Sequence, residues 1–483
     1  MVSTRAVWIA AASLTAFAQT PPGEVTFTKD IAPILQKSCQ TCHRPDSIAP
    51  MSLISYEDVR PWAKAIKLRT SLRNRQGAMP PWYIEKDVGI QRYKNDTSLT
   101  EEEIAKIAKW ADNGAPRGNP ADMPPALVFA DAKTWQIGQP DVVVVTPQVR
   151  MKAVSSDWWG DAGSADAGLT EDRYVAAVQI KEVNDSHTKP ARGTIGGLFI
   201  FHHAIMAVTG PNDPSGGFGI GAWPIHEVGR NADVFNPDAG KLIRAGSRVG
   251  FPNVHLHANG ADTTAHLEVG LKFHPKGYQP VVQERLLTIG TGDLDIRAME
   301  ANQKVEAFFT LQQPMKLTVF EPHMHAAGVR MCLDAIWNEK IETLSCSGYD
   351  HNWVRAYDYA DDAAPLLPRG TILRVTGTFD NTPANRNVTD PRNWSGLGHR
   401  SIDNMMILLA QGVPLSDDKF QEEITARRQL LHLAEGQSAI GCPLCGFAKL
   451  PVRPGAAQAP ARAPSTQSPA AQQAAPQQRT QQQ

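Results

Sequence analysis

The sequence has almost no net charge, because 48 Lys and Arg residues face 49 Asp and Glu residues and leave a formal charge of −1. Binding a polyanion needs an excess of positive charge, so we do not expect nucleic acid as a partner. Long hydrophobic runs are also missing. The clearest one, Ala6 to Phe17, falls well short of the ~20 apolar residues that span a bilayer, so no membrane span is predicted. A length of 483 residues excludes a disulfide-stapled miniprotein and allows two to four domains.

The N-terminus has the pattern of an export signal. Arg5 precedes the apolar run, and Ala16-Phe17-Ala18 has the small-x-small form that signal peptidase requires. We expect a signal peptide over residues 1–18 and a mature protein that is periplasmic or secreted, in a compartment where disulfides form.

Composition divides the mature chain into regions. Helical patterns cluster between Phe27 and Trp110, whereas residues 140–410 carry β-type runs separated by Gly, Pro, Asn and Asp. Gly114–Pro125 is typical of a linker, so residues 19–126 are predicted to form a small helical domain with its linker. Residues 451–483 are nearly all Pro, Ala, Gln, Ser, Thr and Arg, which predicts a disordered tail.

The helical region contains a C-x-x-C-H motif, Cys39-Gln-Thr-Cys42-His43. In this motif the two thiols add to the vinyl groups of haem, and the adjacent imidazole ligates the iron from the same turn. A thioredoxin-like redox pair and half of a zinc site are the alternatives, but no second C-x-x-C lies nearby and no βαβ pattern precedes the motif. We therefore predict one covalent c-type haem.

The residues around the motif support a haem domain. A short helix is predicted from Asp30 into the motif, and Thr100 with Glu103 forms a capping box before a helix that ends near Trp110. With the Gly-Ala-Pro stop at 114–116, residues 24–117 resemble a class I cytochrome c domain. The resemblance implies a small all-α fold.

An electron-transferring haem needs a sixth ligand, and a thioether there raises the reduction potential. Met79, in Gly77-Ala-Met-Pro-Pro-Trp82, is our choice, because distal Met-Pro segments occur in the family and the prolines are expected to hold this loop extended. Met51 is the competing candidate.

Three histidine clusters follow apolar β-type runs: His202-His203, His255-Leu-His257 and His323-Met-His325. Residues i and i+2 of a strand face the same side, so His323 and His325 can chelate one metal while Met324 points away. His202 and His203 can do so only at a bulge or a strand end, where one residue is re-aimed. A thioether beside imidazoles would indicate copper.

The order of these clusters resembles the copper type II monooxygenases, the family of peptidylglycine alpha-hydroxylating and dopamine beta-monooxygenases, over about residues 135–412. The resemblance implies one copper held by His202, His203 and His255, and a second held by His323, His325 and a distant Met in Asp403-Asn-Met405-Met406. Alignment favours Met405, with Met406 as the alternative. His257 is a rival to His255, although a supporting or surface role for His257 is the preferred interpretation.

One departure from the family concerns the substrate. The peptidylglycine enzyme has an Arg two residues before its H-x-H pair to hold a carboxylate, and this chain has Glu321 there. An amidating role is therefore not expected.

The family also supplies the expected fold and reaction. Two antiparallel jelly-roll sandwiches, residues 127–285 and 286–415, would follow the helical domain. The reaction would be hydroxylation of a C–H bond in a small organic substrate by O2, at the copper of His323, His325 and Met405, with the other copper storing an electron. Electrons would come from a periplasmic donor through the fused haem. A copper-binding or electron-transfer protein without hydroxylase activity is the main alternative, and a β-scaffold with incidental histidines is the third.

The other four cysteines are assigned structural roles. Cys332 and Cys346 flank a β-type segment and are expected to form a disulfide that closes a hairpin. Cys442-Pro-Leu-Cys445 lacks the following His, so it is expected to be a tight disulfide or a reactive dithiol. Within residues 416–450, the stretch Lys419–Glu435 predicts an amphipathic helix that docks on the β-domains.

Overall fold

A computed structural model describes residues 24–45, 49, 51–129, 134–185, 199–212, 223–227, 232–282, 284–398, 400 and 402–447. The predicted signal peptide and the predicted disordered tail lie outside these residues. The described chain is mostly β, with four antiparallel sheets and few helices. The β-rich part of the predicted fold class is therefore confirmed. No helix in the ranges just given is long and apolar enough to cross a membrane.

Four short helices form the N-terminal region: α1 (Ala32–Ser38), α2 (Tyr56–Val59), α3 (Ala63–Ser71) and α4 (Glu101–Asp112). The predicted capping box is present, because Thr100 accepts from the amide of Glu103 and Glu103 accepts from the amide of Thr100. A π-helical turn (Phe27–Ile31) leads into α1, and 3-10 turns cover Arg60–Trp62 and Pro120–Asp122. Apolar residues of α1 and α4, including the fully buried Trp110, share one hydrophobic core.

The first β-unit has two sheets that share a core. Sheet 1 contains β1 (Val142–Val145), β2 (Val149–Met151), β5 (Arg173–Asn184), β8 (Ala232–Val234), β9 (Lys241–Ile243) and β11 (Thr263–Phe273). Sheet 2 contains β3 (Trp158–Gly160), β4 (Ser164–Asp166), β6 (Phe201–Thr209), β7 (Ile225–Glu227) and β10 (Arg248–Leu256). Apolar residues of both sheets belong to one buried cluster, so the two sheets pack face to face.

The second β-unit is built in the same way. Sheet 3 contains β12 (Arg285–Gly290), β14 (Met315–Phe320), β15 (Pro322–Met324), β18 (Tyr357–Asp358), β19 (Leu366–Leu367) and β21 (Met406–Pro414). Sheet 4 contains β13 (Gln303–Thr310), β16 (Gly328–Trp337), β17 (Lys340–Gly348) and β20 (Ile372–Phe379). Their inner faces form the largest buried apolar cluster of the described chain.

The segment Trp82–Tyr93 packs differently from the sequence-based division. Four of its buried residues belong to the core of the second β-unit, where Trp82 lies edge-on to Tyr357 with ring centroids 5.1 Å apart. Glu85 forms a bidentate ion pair with Arg330 of β16, with Oε2 2.8 Å from Nη2. Part of the predicted helical domain therefore packs in the core of the second β-unit, because the apolar partners of these aromatic side chains lie there.

The C-terminal part of the described chain is held by disulfides and by a helix. Cys332 is bonded to Cys346, its direct cross-strand partner on β16 and β17, which confirms the predicted hairpin bridge. Cys442 and Cys445 also form a disulfide, and a 3-10 turn covers Pro443–Gly446.

Helix α5 (Asp417–Leu430) docks on the second β-unit through Phe420 and Ile424, as predicted. It ends earlier than the sequence pattern indicated, and Leu430 is exposed.

Candidate metal centre and haem site

A β-bulge brings His202 and His203 to one side of sheet 2. In the pairing of β6 with β10, His255 lies opposite His203 and Leu256 lies opposite Phe201, so His202 is the extra residue between them. In a bulge two residues of one strand oppose a single residue of the partner. The bulge that an adjacent His pair requires is therefore present, and both histidines oppose His255.

The three histidines form a compact donor set. His202, His203 and His255 are all buried, and their candidate ligand nitrogens lie within 4.8 Å of one another. The Nδ1 atoms of His202 and His203 are 3.4 Å apart. This is the only group of three or more His, Cys, Asp or Glu side chains in the described residues that is spaced to hold a metal ion.

Hydrogen bonds determine which ring nitrogen of His202 and of His255 is turned toward the cluster. Nε2 of His202 donates to the carbonyl of His351 at 3.2 Å, and Nε2 of His255 donates to Asp157 Oδ2 at 2.8 Å. An acceptor bonded to one ring nitrogen fixes the tautomer and leaves the lone pair on the other. Nδ1 is therefore the atom of both rings that would bind a metal ion. Trp159 stacks on His255 with ring centroids 3.9 Å apart and fixes its plane.

Burial keeps His202 and His203 uncharged. It lowers the pKa of His202 and of His203 well below 6.5, and the neighbouring imidazoles lower both further. At neutral pH the rings are therefore neutral, which is the form that binds a metal ion.

The H-x-H pair lies in sheet 3, on the face that points away from the core. Met324 of β15 pairs with Met406 of β21, and both side chains are buried in the core of the second β-unit. A Cβ added at Gly377 would come within 2.6 Å of Met406 Sδ, which places that thioether against sheet 4. Because successive residues of a strand alternate sides, His323 and His325 point to the opposite face.

The same alternation places Met405 with the histidines. Met405 immediately precedes β21 and Met406 points into the core, so Met405 points to the face of His323 and His325. Met405 is 8% exposed and is not part of the core cluster. Of the two methionines considered from the sequence, Met405 has the orientation that a ligand requires.

We expect Met405→Leu to weaken the binding of cuprous ion and Met406→Leu to leave it nearly unchanged. A thioether selects the reduced, softer copper ion, and only Met405 lies on the histidine face. The measurement is competition for Cu(I) against a chromogenic chelator, with thermal unfolding of the metal-free variants as the control for packing. Equal losses of affinity in the two variants would contradict the assignment.

The two histidine sets lie against each other across the junction of the β-units. The rings of His203 and His323 have centroids 6.1 Å apart, and His323 and His325 are 5.7 Å apart. A cavity of about 10 Å³, room for about one water, lies between the two β-units and is lined by Trp223, Glu321 and Gln411 among others, but by none of the candidate ligands. The histidines of both sets are themselves buried.

His351 joins this cluster although nothing in the sequence marked it. Its ring lies 5.0 Å from that of His202 and 5.7 Å from that of His325. Its Nδ1 is buried with no hydrogen-bond partner among the described residues, and burial lowers its pKa to about 3. His351 is a single histidine in a polar turn, outside the three histidine clusters of the sequence. Only the folding of the chain brings it to the site. His257 instead donates from Nε2 to the carbonyl of Phe199 at 3.1 Å and is not in the three-histidine group.

The residues of the C-x-x-C-H motif lie on one helical turn after α1. The amide of His43 donates to the carbonyl of Cys39 at 2.9 Å, and neither Cys39 nor Cys42 is in a disulfide. Burial raises the pKa of Cys39 to about 12, so this sulfur is a thiol at neutral pH. Two unbonded thiols and an imidazole on one turn fit the attachment of a c-type haem.

His43 also distinguishes the two candidates for the sixth ligand. Its Nδ1 donates to the carbonyl of Met51 at 3.2 Å, so Met51 lies on the side of the imidazole away from Nε2, the nitrogen that would bind iron. The Met51 side chain packs against the helical core. Met79 lies in a separate loop after α3 and is partly exposed. The Met79–Pro80 peptide is cis and the chain bends there, so the expectation of an extended loop is wrong at this point.

No protein-family model matches the chain, and no curated protein is significantly similar to it. The proposals below therefore rest on the geometry and chemistry of this chain's residues and on the resemblance that its motifs carry.

Glu182 holds the strand that carries the histidine pair. Its carboxylate on β5 accepts from the amides of Ile200 and Phe201, each at 2.9 Å, immediately before His202. Burial raises the pKa of Glu182 to about 7, although these hydrogen bonds oppose the shift. Between pH 4.5 and 7 the folded protein therefore keeps a proton that the unfolded chain releases, so stability falls as pH rises through this window.

We expect Glu182→Gln to remove this pH dependence. The contribution is on the order of 3 kcal/mol, from the size of the shift. The measurement is the free energy of urea unfolding of the parent and the variant at pH 5 and pH 7.5. Glu268→Gln, on the neighbouring β11 and partly exposed, is the matched control and should keep the parent's dependence. The same dependence in all three proteins would refute the role of Glu182.

Proposed function

We propose that this protein is an exported copper-dependent monooxygenase that hydroxylates a C–H bond of a small organic substrate with O2 and receives electrons through its own c-type haem. The observation that carries the proposal is the facing of two donor sets across the junction of the β-units. Three histidines lie on sheet 2, and an H-x-H pair with a thioether on its face lies on sheet 3.

The donor sets fit copper better than zinc or iron. Imidazole suits all three metals, whereas a thioether beside two imidazoles selects copper in its reduced state. Copper, when bound, would supply one-electron redox chemistry and the binding of O2. His202, His203 and His255 would hold one ion, and His323, His325 and Met405 the other.

The chain's own residues prepare these sites. Asp157 and the carbonyl of His351 fix the tautomers of two histidines, and Glu182 fixes the strand in front of the bulge. Tyr349 donates its hydroxyl to the carbonyl of Met324, between the two histidines of the H-x-H pair. Such outer contacts orient ligands and raise their basicity.

The burial of the histidines has a consequence for the substrate. His202, His203, His255, His323 and His325 are each at most 9% exposed, so we propose that a substrate reaches them only after a local opening of the junction. Closure afterwards would exclude water from the reaction.

The family resemblance and the sequence motifs support more detailed proposals on the fold and the haem. We propose jelly-roll topology for the two sandwiches, a class I cytochrome c fold for the helical region, and a periplasmic donor that reduces the haem. Cys39 and Cys42 would attach the haem, with His43 and Met79 as its axial ligands. The two disulfides fit maturation in an oxidising compartment.

The alternative is an electron-transfer or copper-binding protein without hydroxylase activity. The observation that favours it is the burial of both histidine sets, with the rings of His203 and His323 6.1 Å apart.

The deciding experiment uses the full chain with haem and copper in place. The haem is reduced without O2, ¹⁸O2 is admitted with a panel of small aromatic and aliphatic compounds, and products are examined by mass spectrometry. Copper-dependent incorporation of ¹⁸O, absent after chelation and in His325→Ala, supports the monooxygenase. Copper-dependent reoxidation of the haem with no oxygen incorporated supports the alternative. A haem that never exchanges electrons with copper would exclude the haem as the electron inlet.

A further inference from the structure

The loop between β17 and β18, residues 349–356, contacts both candidate redox sites, and we call it the bridging loop. One side of it faces the Met79 loop of the helical region. The other side faces the histidines of sheet 2. The following inference rests on the proposed function and concerns how the two sites communicate.

On the haem side, the bridging loop holds the segment that carries Met79. Asp350 Oδ2 accepts from the amide of Gly77 at 2.8 Å, two residues before Met79. Trp353 is 7% exposed and forms a small apolar cluster with Ala78 and Tyr83 on either side of Met79. The loop that presents the candidate iron ligand is therefore fixed by a hydrogen bond and by packing from the second β-unit.

The same side of the bridging loop carries donors whose partners are missing. Nε1 of Trp353 and Nε of Arg355 are buried and have no hydrogen-bond partner among the described residues. The guanidinium of Arg355 lies over the ring of Trp82, three residues after Met79, with Cζ 4.8 Å from the ring centroid. Haem carries two carboxylates, and buried carboxylates need donors and positive charge. Trp353 and Arg355 would serve that need.

On the copper side, the bridging loop contacts one histidine set directly. The carbonyl of His351 accepts from Nε2 of His202 at 3.2 Å, and the two rings lie 5.0 Å apart. His351 directly follows Asp350. These two adjacent residues therefore make one hydrogen bond each: Asp350 bonds to the Met79 loop, and His351 bonds to a candidate copper ligand.

We propose that the bridging loop is the electron route from the haem to the copper site of His202, His203 and His255. The electron passes from the Met79 loop through the Gly77 to Asp350 hydrogen bond, along the chain to His351, and through the second hydrogen bond to His202. In this step ferrous haem becomes ferric and cupric ion becomes cuprous. One electron moves, no bond forms or breaks, and a one-electron donor restores the haem.

The route has two non-covalent steps, of 2.8 and 3.2 Å. The loop also contacts the H-x-H segment, where Tyr349 donates to the carbonyl of Met324. That bond ends on the backbone, whereas the bond from the His351 carbonyl ends on a ligand side chain, His202. The copper of the three histidines is therefore the first acceptor.

The test follows intramolecular electron transfer in the full chain with haem and copper bound. A photogenerated one-electron reductant reduces the haem without O2, and the first-order decay of the ferrous haem absorbance is recorded with the loss of the Cu(II) spin-resonance signal. Zinc-loaded protein gives the baseline. We expect Asp350→Ala to slow the decay severalfold, and Asp350→Asn, which keeps an acceptor for Gly77, to restore most of the rate. Glu339→Gln, exposed in the turn between β16 and β17, is the control.

Two further readouts separate the route from a general disturbance. Amide hydrogen exchange at Gly77 in zinc-loaded protein should speed up in Asp350→Ala, which reports the contact without redox chemistry. The fast decay should vanish in His203→Ala and persist in His325→Ala. An unchanged decay in Asp350→Ala with faster exchange at Gly77, or a decay that needs only the H-x-H copper, would overturn the route. If the parent binds no copper, the proposed function fails and the route with it. A parent that hydroxylates while its haem shows no such decay would overturn the route alone.

Discussion

His203→Ala and His325→Ala should each remove about one of two copper ions per haem, and each variant should lose a different ion. The two histidines belong to separate donor sets, on sheet 2 and on sheet 3, although their rings lie in one buried cluster. Truncating one ligand leaves two donors in that set and three in the other, so the second ion should stay. The measurement is copper and zinc per haem in protein matured in a periplasm with haem attachment machinery.

Hydroxylase activity should fall to the background in both variants, because the proposed reaction needs one copper to hold O2 and another to store an electron. His257→Ala is the matched control, since His257 donates to a carbonyl and lies outside the three-histidine group. It should keep both ions. A parent with no copper, or with zinc that neither substitution affects, would mean that this is a cytochrome on a β-scaffold.

Local patterns in the sequence predicted the local parts of this structure well. The capping box at Thr100 and Glu103 begins α4 as expected, and Cys332 pairs with Cys346 across one hairpin. Stereochemistry predicted a bulge or a strand end at the His pair, because adjacent residues of a regular strand cannot face the same ion, and the structure has the bulge. In each case the deciding interaction joins residues that are near in the chain or in adjacent strands.

The parts that sequence reasoning missed depend on distant contacts. His351 meets His202 across 149 positions, and Asp350 meets Gly77 across 273. Trp82 follows two prolines, which is a sequence context typical of a loop, yet it is buried among tyrosines of the second β-unit. Single-sequence patterns carry no information on which surfaces dock, so neither the bridging loop nor the shared core could be predicted.

The second large effect is expected on the reduction potential of the haem when its proposed sixth ligand is removed. Met79→Ala should lower the midpoint potential of the haem by on the order of 0.1 V or more, a modest part of the roughly 0.8 V over which axial ligands set haem potentials. The reason is that a thioether stabilises ferrous over ferric iron, and its loss admits water or another donor. The measurement is a potentiometric titration with optical spectra of the ferric protein, in which the signature of thioether ligation should disappear.

Met51→Leu is the matched control for this prediction, and its outcome follows from a backbone contact. The carbonyl of Met51, not its sulfur, accepts from Nδ1 of His43, and that contact survives a change of side chain. The potential should therefore stay close to that of the parent, with stability as the property most affected, because the side chain packs in the helical core. If Met51→Leu lost the thioether signature and Met79→Ala kept it, the iron would lie on the other side of His43. The bridging loop would then hold a segment that carries no ligand, and the argument for a route through Asp350 would lose its starting point.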